Sequence, residues 1–304
     1  MDYPRLIGVD GLAKAAHRGS GVKVAVIDSG CPVPCCFPAC FAWGPKDDLD
    51  DNFGHATAIA SILFGGRGIC GMCESAYPCY FKVLDDKGSG TIRSVSDGIN
   101  EAVDRNVDVI NLSLGFFRTK KCPKALKEAC ERAYEAKIPI FCAAGNDGGP
   151  VNWPGALKTT ICIGSAAQNG LKMPFSSTGE VDFVAPGHEL EIIDKAGRRT
   201  TVSGTSYSTA IVTGVAALLM PEIKASDPNF SVESVKSALK AIVRDVDAPG
   251  WDKNTGYGLI SGKENDTTVC METNQGFFDR ILCKVRDFLG LDALDKQGDN
   301  NGRV

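Results

Sequence analysis

Hydrophobic positions in this chain form short continuous runs, separated by segments in which they recur every three or four residues. The short runs are rich in β-branched residues and are typical of buried strands. They occupy residues 21–27, 80–84, 107–112, 138–144, 159–164 and 181–184. The helical periodicity is clearest over residues 92–103, 124–136 and 231–243. This alternation predicts an α/β fold with three layers: an open, mostly parallel sheet with helices on both faces.

Two further segments are apolar on almost every side and predict buried helices. One begins at His55 and continues to residue 63, and the other follows Gly204 and continues to residue 220. Ser206 lies at the expected N-terminus of the second helix, where unpaired N–H groups and the helix dipole favour a developing negative charge. A serine at this position caps the helix or, with a base beside it, acts as a nucleophile.

Two candidate partners for Ser206 precede it in the chain. Asp28 ends the first predicted strand, at the carboxyl edge where open α/β sheets collect catalytic groups. The chain has three histidines, and His55 opens a predicted helix directly after an acid-rich loop. Taken singly, Asp28 fits an Asx turn and His55 a structural role. Together with Ser206 they follow one of the known orders of a serine-hydrolase triad.

The segments around these residues resemble the subtilisin-like serine proteases (subtilases). Residues 24–30 (VAVIDSG) resemble the family's aspartate motif, 54–57 (GHAT) its histidine motif and 204–206 (GTS) its serine motif. Residues 143–146 (AAGN) are similar to the segment that carries the oxyanion asparagine, and 111–115 (NLSLG) to the edge strand that pairs with substrate. The matches keep the family's order over about residues 5–262 and imply a subtilisin-like fold.

The resemblance implies a serine endopeptidase that works through an acyl-enzyme intermediate. The implied catalytic residues are Asp28, His55 and Ser206, with Asn146 as an oxyanion donor. The implied substrate-binding residues are Ser113, Leu114, Gly115, Ala144 and Gly145. The expected partner is a protein or peptide bound in an extended conformation, largely through its main chain.

The chain also departs from the family's usual motifs. In the histidine motif, Ala56 replaces the glycine that usually precedes the threonine, and Ala58 replaces the histidine that usually follows it. After the serine, Tyr207 replaces a methionine. We expect the bulkier Tyr207 to shape specificity if it lies near the pocket. Two alternatives to hydrolysis stay open: a catalytically silent member that binds peptides or a protein partner, and a peptide-processing transpeptidase. The complete set of four catalytic-type residues favours the endopeptidase.

The amino-acid composition limits the binding partners and the cellular locations that we expect for this protein. The 304 residues are 43% hydrophobic and 23% charged with a net charge of −4, which is typical of a soluble globular protein and gives no reason to expect nucleic acid. No apolar run has the length expected of a transmembrane segment. Residues 1–5 show no signal-peptide pattern, which favours a cytoplasmic location, or secretion if the chain is a trimmed mature form.

Acids and cysteines suggest weaker sites. Asp47, Asp48, Asp50 and Asp51 are interpreted first as a solvated loop, with a calcium ion as the alternative, and we assign no metal site. The 13 cysteines are an odd number, so at least one lacks a partner within the chain. Cys142 and Cys162 are expected to pack in the core. The cysteines between residues 31 and 79 are interpreted as reduced thiols or local disulfides, ahead of a metal site.

The chain divides into two parts. Residues 1–262 form the predicted subtilisin-like catalytic domain, and residues 263–304 form a C-terminal extension. Within the extension, an amphipathic pattern predicts a helix from about 276 to 290 that docks on the catalytic domain. The polar tail, 294–304, is predicted to be disordered.

Overall fold

A computed structural model describes residues 1–32, 41–44, 49–118 and 121–262 of the chain. The strands are β1 (Lys23–Asp28), β2 (Phe41–Trp43), β3 (Tyr77–Lys82), β4 (Val109–Leu112), β5 (Ile140–Ala143), β6 (Ile161–Ala166), β7 (Phe183–Pro186), β8 (Leu190–Ile193), β9 (Arg199–Val202), β10 (Val243–Arg244) and β11 (Leu259–Ile260). The helices are α1 (Tyr3–Leu6), α2 (Asp10–Ala15), α3 (His55–Phe64), α4 (Ile92–Asp104), α5 (Lys124–Glu135), α6 (Thr205–Ser226) and α7 (Val232–Lys240), and a 3₁₀ turn covers His17–Gly19.

The central sheet has nine strands in the order β10-β11-β7-β6-β5-β4-β1-β3-β2. All neighbouring pairs are parallel except β10 and β11, which are antiparallel. Such a sheet needs apolar residues on both faces because helices cover both sides. The inner strands β4, β5 and β6 are accordingly buried along their whole length.

Residues of one strand alternate between two hydrophobic cores. In β1, Val24 and Val26 pack on the side that carries α3, α6 and α7, whereas Ala25 and Ile27 pack on the side that carries α4 and α5. This period of two is the geometry of an extended strand, and here it joins three layers into one unit. The predicted three-layer α/β fold with helices on both faces is confirmed.

The helix that begins next to Ser206, α6, is the longest described one at 22 residues. It is long enough and apolar enough to cross a membrane, whereas the sequence analysis expected no apolar run of that length. However, 83% of its apolar window is buried within the protein. It is therefore the central core helix of the fold, and its apolar surface is used in packing.

Some element boundaries differ from the sequence prediction. The helix predicted over 231–243 ends at Lys240, and Val243 instead pairs with Ile260 at the edge of the sheet. Pairing of a β-branched residue with a neighbouring strand outweighs the helical spacing there. The antiparallel hairpin of β8 and β9 was not predicted, because charged residues interrupt its apolar pattern. The C-terminal helix at about 276–290 and the tail at 294–304 lie outside the described residues.

Candidate active site

Asp28 and His55 meet at the carboxyl edge of the sheet. Asp28 is the last residue of β1 and is fully buried, and His55 is the first residue of α3 with 18% of its side chain exposed. His55 Nδ1 lies 2.9 Å from both carboxylate oxygens of Asp28. Because a carboxylate only accepts hydrogen bonds, Nδ1 carries the proton and Nε2 is free to take another. Asp28 therefore fixes the tautomer and the orientation of the imidazole.

The charge around His55 favours its protonated form. Burial alone lowers the pKa of His55, but the carboxylate of Asp28 outweighs this through its charge and its hydrogen bond. The carboxylate of Asp51 adds a further increase, so the pKa of His55 is raised above its ordinary value. An imidazole with a raised pKa is a stronger base, which suits a group that must remove a proton from a hydroxyl.

Ser206 lies in the first turn of α6 and is 8% exposed. Its hydroxyl donates a hydrogen bond of 2.9 Å to the carbonyl oxygen of Ser113, and the Ser113 hydroxyl donates one of 2.8 Å to the Ser206 carbonyl. Within the described ranges Ser206 Oγ makes no hydrogen bond to His55, as is common when no substrate is bound. Tyr207, the next residue, brings this end of α6 to His55, with ring centroids 5.8 Å apart.

Asn146 stands beside the start of α6 with its amide nitrogen available. Its Oδ1 accepts hydrogen bonds from the backbone N–H of Thr205 at 2.8 Å and from the Thr205 hydroxyl at 2.9 Å. These bonds fix the amide, so that Nδ2 faces Gly204, 3.4 Å from where a Cβ at Gly204 would lie. The NH₂ group is thereby directed toward the turn that holds Ser206, where an oxyanion would form.

A second buried carboxylate supports the Asp28–His55 pair, and sequence reasoning missed this role. Asp51, 2% exposed, accepts hydrogen bonds from the backbone N–H of Gly54 and from the N–H and hydroxyl of Thr57, at 2.6–2.7 Å. The Ser29 hydroxyl lies 2.7 Å from Asp51 Oδ1 and 3.1 Å from Asp28 Oδ1, and it accepts from the N–H of Ala56. Asp51 therefore joins the end of β1 to the first turn of α3.

These bonds bear on the calcium hypothesis. Both oxygens of Asp51 accept hydrogen bonds inside the protein, so this acid is committed to positioning α3. In the ranges that the structure describes, no group of three or more His, Cys, Asp or Glu side chains is arranged to hold a metal ion. Asp47 and Asp48 lie outside those ranges, so the calcium alternative stays a prediction.

The segment that follows β4 has the character of an open edge strand. In the described part of the chain, the backbone groups of Leu114 and Gly115 make no hydrogen bond, and the next residue, Phe116, pairs with Trp153. An edge with unpaired N–H and C=O groups can accept an extended peptide. By contrast, the backbone groups of Ala144 and Gly145 form hydrogen bonds within the protein, so these residues can contact a substrate only by packing against it.

A family comparison decides the assignment. The sequence profile of the Subtilase family matches residues 19–258, which include Asp28, His55, Asn146 and Ser206. The chain belongs to the subtilase family. Minor extracellular protease Epr of Bacillus subtilis (strain 168) is 33% identical over 276 residues, covering 84% of this chain but 40% of Epr. Subtilisin DY of Bacillus licheniformis is 30% identical over 270 residues, covering 84% of this chain and 94% of that protein.

Solved structures agree with this assignment. A cold-adapted subtilisin-like serine proteinase superposes with a TM-score of 0.68 at 26% identity, covering 82% of this chain and 91% of the other. Prenylagaramide maturation protease PagA superposes with a TM-score of 0.72 at 24% identity, covering 90% of this chain and 99% of PagA, and at that identity it shows the fold alone. The family match and Subtilisin DY, of which this chain covers 94%, indicate that this subtilase is a serine endopeptidase.

Two aromatic rings of this subtilase lie close to the imidazole of His55. The ring of Phe53 lies 6.5 Å from that of His55, and Tyr207 lies 5.8 Å away. Burial, and then the nearby Asp28 carboxylate, raise the pKa of Tyr207 to about 12, so the phenol stays neutral. Tyr207, which replaces the family's usual methionine, is thus in contact with His55, and its effect on specificity stays a prediction.

Seven of the described cysteines of this subtilase are free thiols. They are Cys31, Cys70, Cys73, Cys122, Cys130, Cys142 and Cys162. Cys142 and Cys162 are fully buried, as predicted, and burial raises the pKa of both thiols well above the ordinary value. Cys31, close to Asp28 in sequence, has its pKa raised to about 11, mainly by burial. The thiols of Cys31, Cys142 and Cys162 are therefore in their unreactive, protonated form at neutral pH.

Proposed function

We propose that this protein hydrolyses peptide bonds through an Asp28–His55–Ser206 triad and an acyl-enzyme intermediate. The observation that carries the proposal is the buried pair of Asp28 and His55, with Nδ1 held at 2.9 Å from the carboxylate and Nε2 free. Asn146 and Ser206 lie together at the start of α6, within the same edge of the sheet. A protein that only binds peptides does not need a buried carboxylate paired with a histidine beside Ser206 and Asn146.

The first half of the reaction forms the acyl-enzyme. The Ser206 hydroxyl turns from the Ser113 carbonyl toward His55, gives its proton to Nε2, and its oxygen attacks the carbonyl carbon of the substrate. The carbonyl oxygen becomes an oxyanion that accepts hydrogen bonds from Asn146 Nδ2 and from the backbone N–H of Ser206. The C–N bond then breaks as His55 returns the proton to the leaving amine. The acyl group stays bonded to Ser206 Oγ.

The second half releases the acid product. Water takes the place of the amine, His55 removes one of its protons, and the water oxygen attacks the acyl carbon. The same two donors hold the second oxyanion. The bond from carbon to Ser206 Oγ then breaks, and His55 gives the proton back to the serine. Asp28 keeps its charge throughout and stabilises the imidazolium in both halves.

We propose that the substrate binds as an added strand along Ser113, Leu114 and Gly115. The unpaired backbone groups of Leu114 and Gly115 support this, because they offer one donor and one acceptor per residue to an extended chain. Ser113 uses its carbonyl oxygen to accept from Ser206, so substrate binding and reorientation of the serine occur at adjacent groups.

The triad is tested with three serine and histidine variants. Hydrolysis of an unstructured protein is measured for Ser206→Ala, for His55→Ala and for the control Ser20→Ala, whose serine is exposed. We expect each of the first two to lose about 10⁶-fold in kcat, the size known for subtilisin, whereas the control keeps its activity. Substantial hydrolysis by purified Ser206→Ala would contradict the proposal.

A further inference from the structure

A polar side chain with no hydrogen-bond partner among the described residues lies between the two segments that flank Ser206. One segment runs through Leu114 and Gly115, and the other through Ala144 and Gly145. A Cβ placed at Gly115 would come within 3.1 Å of Asn152 Cβ, and one at Gly145 would come within 2.6 Å of Asn152 Nδ2. The Asn152 side chain therefore fills the space that two glycines leave open.

Backbone hydrogen bonds hold the residues around Asn152 firmly against both segments. The N–H of Asn152 donates to the Ala144 carbonyl at 2.9 Å, and the N–H and carbonyl of Trp153 pair with those of Phe116 at 2.9 and 2.7 Å. The Asn152 carbonyl accepts from Ala156 at 3.1 Å. These bonds pair the backbone N–H and carbonyl groups and fix the Asn152 side chain between the two segments.

The side-chain amide of Asn152 is the polar group left over. It is partly buried, and it makes no hydrogen bond within the described part of the chain. The nearby Ser177 hydroxyl is already committed, since it donates to Asp147 at 2.8 Å. An amide carries both donors and an acceptor, whichever way its two ends are assigned. It can therefore pair fully only with a group that also donates and accepts.

We propose that Asn152 makes this protein prefer substrates with an amide side chain, Asn or Gln, on the amino side of the cleaved bond. The inference rests on the proposed triad. With its carbonyl oxygen at Asn146 and its carbonyl carbon at Ser206, that substrate residue projects its side chain between the Gly115 and Gly145 segments. An apolar side chain there removes water from the Asn152 amide without replacing its hydrogen bonds, which is unfavourable.

The charge near this space does not lead to a preference for basic residues. Asp147 is the neighbouring acid, and hydrogen bonds from Ser177 and from the N–H of Gly149 lower its pKa. Its carboxylate is exposed, however, where water and salt screen it, and Oδ1 already accepts twice. The neutral amide of Asn152 is the group placed between the two walls.

The experiment compares cleavage of a mixed peptide library by four proteins, with the cut sites identified by mass spectrometry. The proteins are the wild type, Asn152→Leu, which keeps the side-chain size but is apolar, Asp147→Asn, and the control Asn229→Leu at an exposed position. Labelling of Ser206 by a fluorophosphonate is measured in parallel, because this reaction needs the triad but no substrate side chain.

We expect the wild type and the control to cleave after Asn and Gln at least about tenfold more efficiently than after Leu, from two hydrogen bonds gained or lost. Asn152→Leu should favour Leu, with labelling of Ser206 unchanged. Two outcomes would overturn the role of Asn152 but leave the triad intact. One is a labelled wild type that prefers apolar residues, and the other is a preference for Lys and Arg that disappears in Asp147→Asn. A folded protein without labelling would overturn the triad, and this inference with it.

Discussion

At the scale of single residues, the pairing of Asp28 with His55 depends on a second carboxylate, which does not contact the imidazole. Asp51 lies behind Asp28, is linked to it through Ser29, and accepts from the first turn of α3. Its charge adds to that of Asp28 in raising the pKa of His55. The basicity of the imidazole is therefore set by two buried acids, only one of which contacts it.

This arrangement predicts the pH dependence of activity. In the proposed mechanism the neutral form of His55 is the base, and its pKa is raised above the ordinary 6.5, so kcat/KM should fall as the pH drops through a value higher than 6.5. Asp51→Asn removes one nearby negative charge, so the acid limb should move to lower pH. Ser29→Ala, which keeps both charges, and Asp86→Asn, at an acid that is 61% exposed, should leave the limb near its original position. An unmoved limb in Asp51→Asn would show that Asp51 acts through packing alone.

The oxyanion donor can be tested without disturbing its neighbours. Asn146→Asp keeps an oxygen that accepts from Thr205 but loses the NH₂ group that faces the reaction. We expect kcat to fall by roughly 10²–10³, the cost known for losing such a donor in subtilisin, with little change in KM. Steady-state kinetics separates the two parameters. A variant that loses mainly substrate affinity would assign Asn146 to binding.

At the scale of elements, the triad depends on how α3 and α6 pack, because His55 begins one helix and Ser206 lies in the first turn of the other. The helices approach closely at Gly214 of α6, where a Cβ would overlap Met72 Cβ and lie 3.6 Å from Leu63 of α3. The glycine allows the approach because it has no side chain. Met72 is fully buried and cannot move aside without cost.

Gly214→Ala should therefore destabilise the protein by roughly 1–3 kcal/mol through overpacking. Chemical denaturation gives the free energy of unfolding, and the matched change Ala225→Ser, at an exposed position of the same helix, should have a much smaller effect. If Gly214→Ala were as stable as the wild type, α3 and α6 would not be packed as tightly as the structure indicates.

The sequence predicted these elements unequally well. The strands β1, β4 and β5 were predicted to within about two residues, because strands buried on both faces are continuously apolar. Asp28, His55 and Ser206 were predicted from local motifs, and the structure pairs Asp28 with His55. The role of Asp51 was not, because its partner Ser29 is 22 residues away and the hydrogen bond appears only after folding. The position of Asn152 between Gly115 and Gly145 was not predicted either, because these residues come together only in the folded chain.

At the scale of the whole molecule, stability comes from the three packed layers, and the described cysteines contribute as apolar residues. Cys73, Cys130, Cys142 and Cys162 are each fully buried. Burial raises the pKa of each of these thiols, which keeps them protonated.

We expect these four thiols to resist alkylation in the native protein and to react fully after denaturation. Peptide mapping by mass spectrometry after iodoacetamide treatment distinguishes them from the partly exposed Cys70 and Cys122. Activity should be unchanged by dithiothreitol as far as Cys31, Cys70, Cys73, Cys122, Cys130, Cys142 and Cys162 are concerned. Recovery of a disulfide at any of them, with activity lost on reduction, would contradict this account.

The central claim, that Asp28, His55 and Ser206 act as one catalytic unit, is tested most directly by covalent labelling. The folded protein is incubated with a fluorophosphonate, and the label is quantified and located by mass spectrometry. The account predicts one equivalent of label on Ser206, none in Ser206→Ala and a strongly slowed reaction in His55→Ala. A folded wild-type protein that stays unlabelled, or that carries the label on another serine, would contradict it.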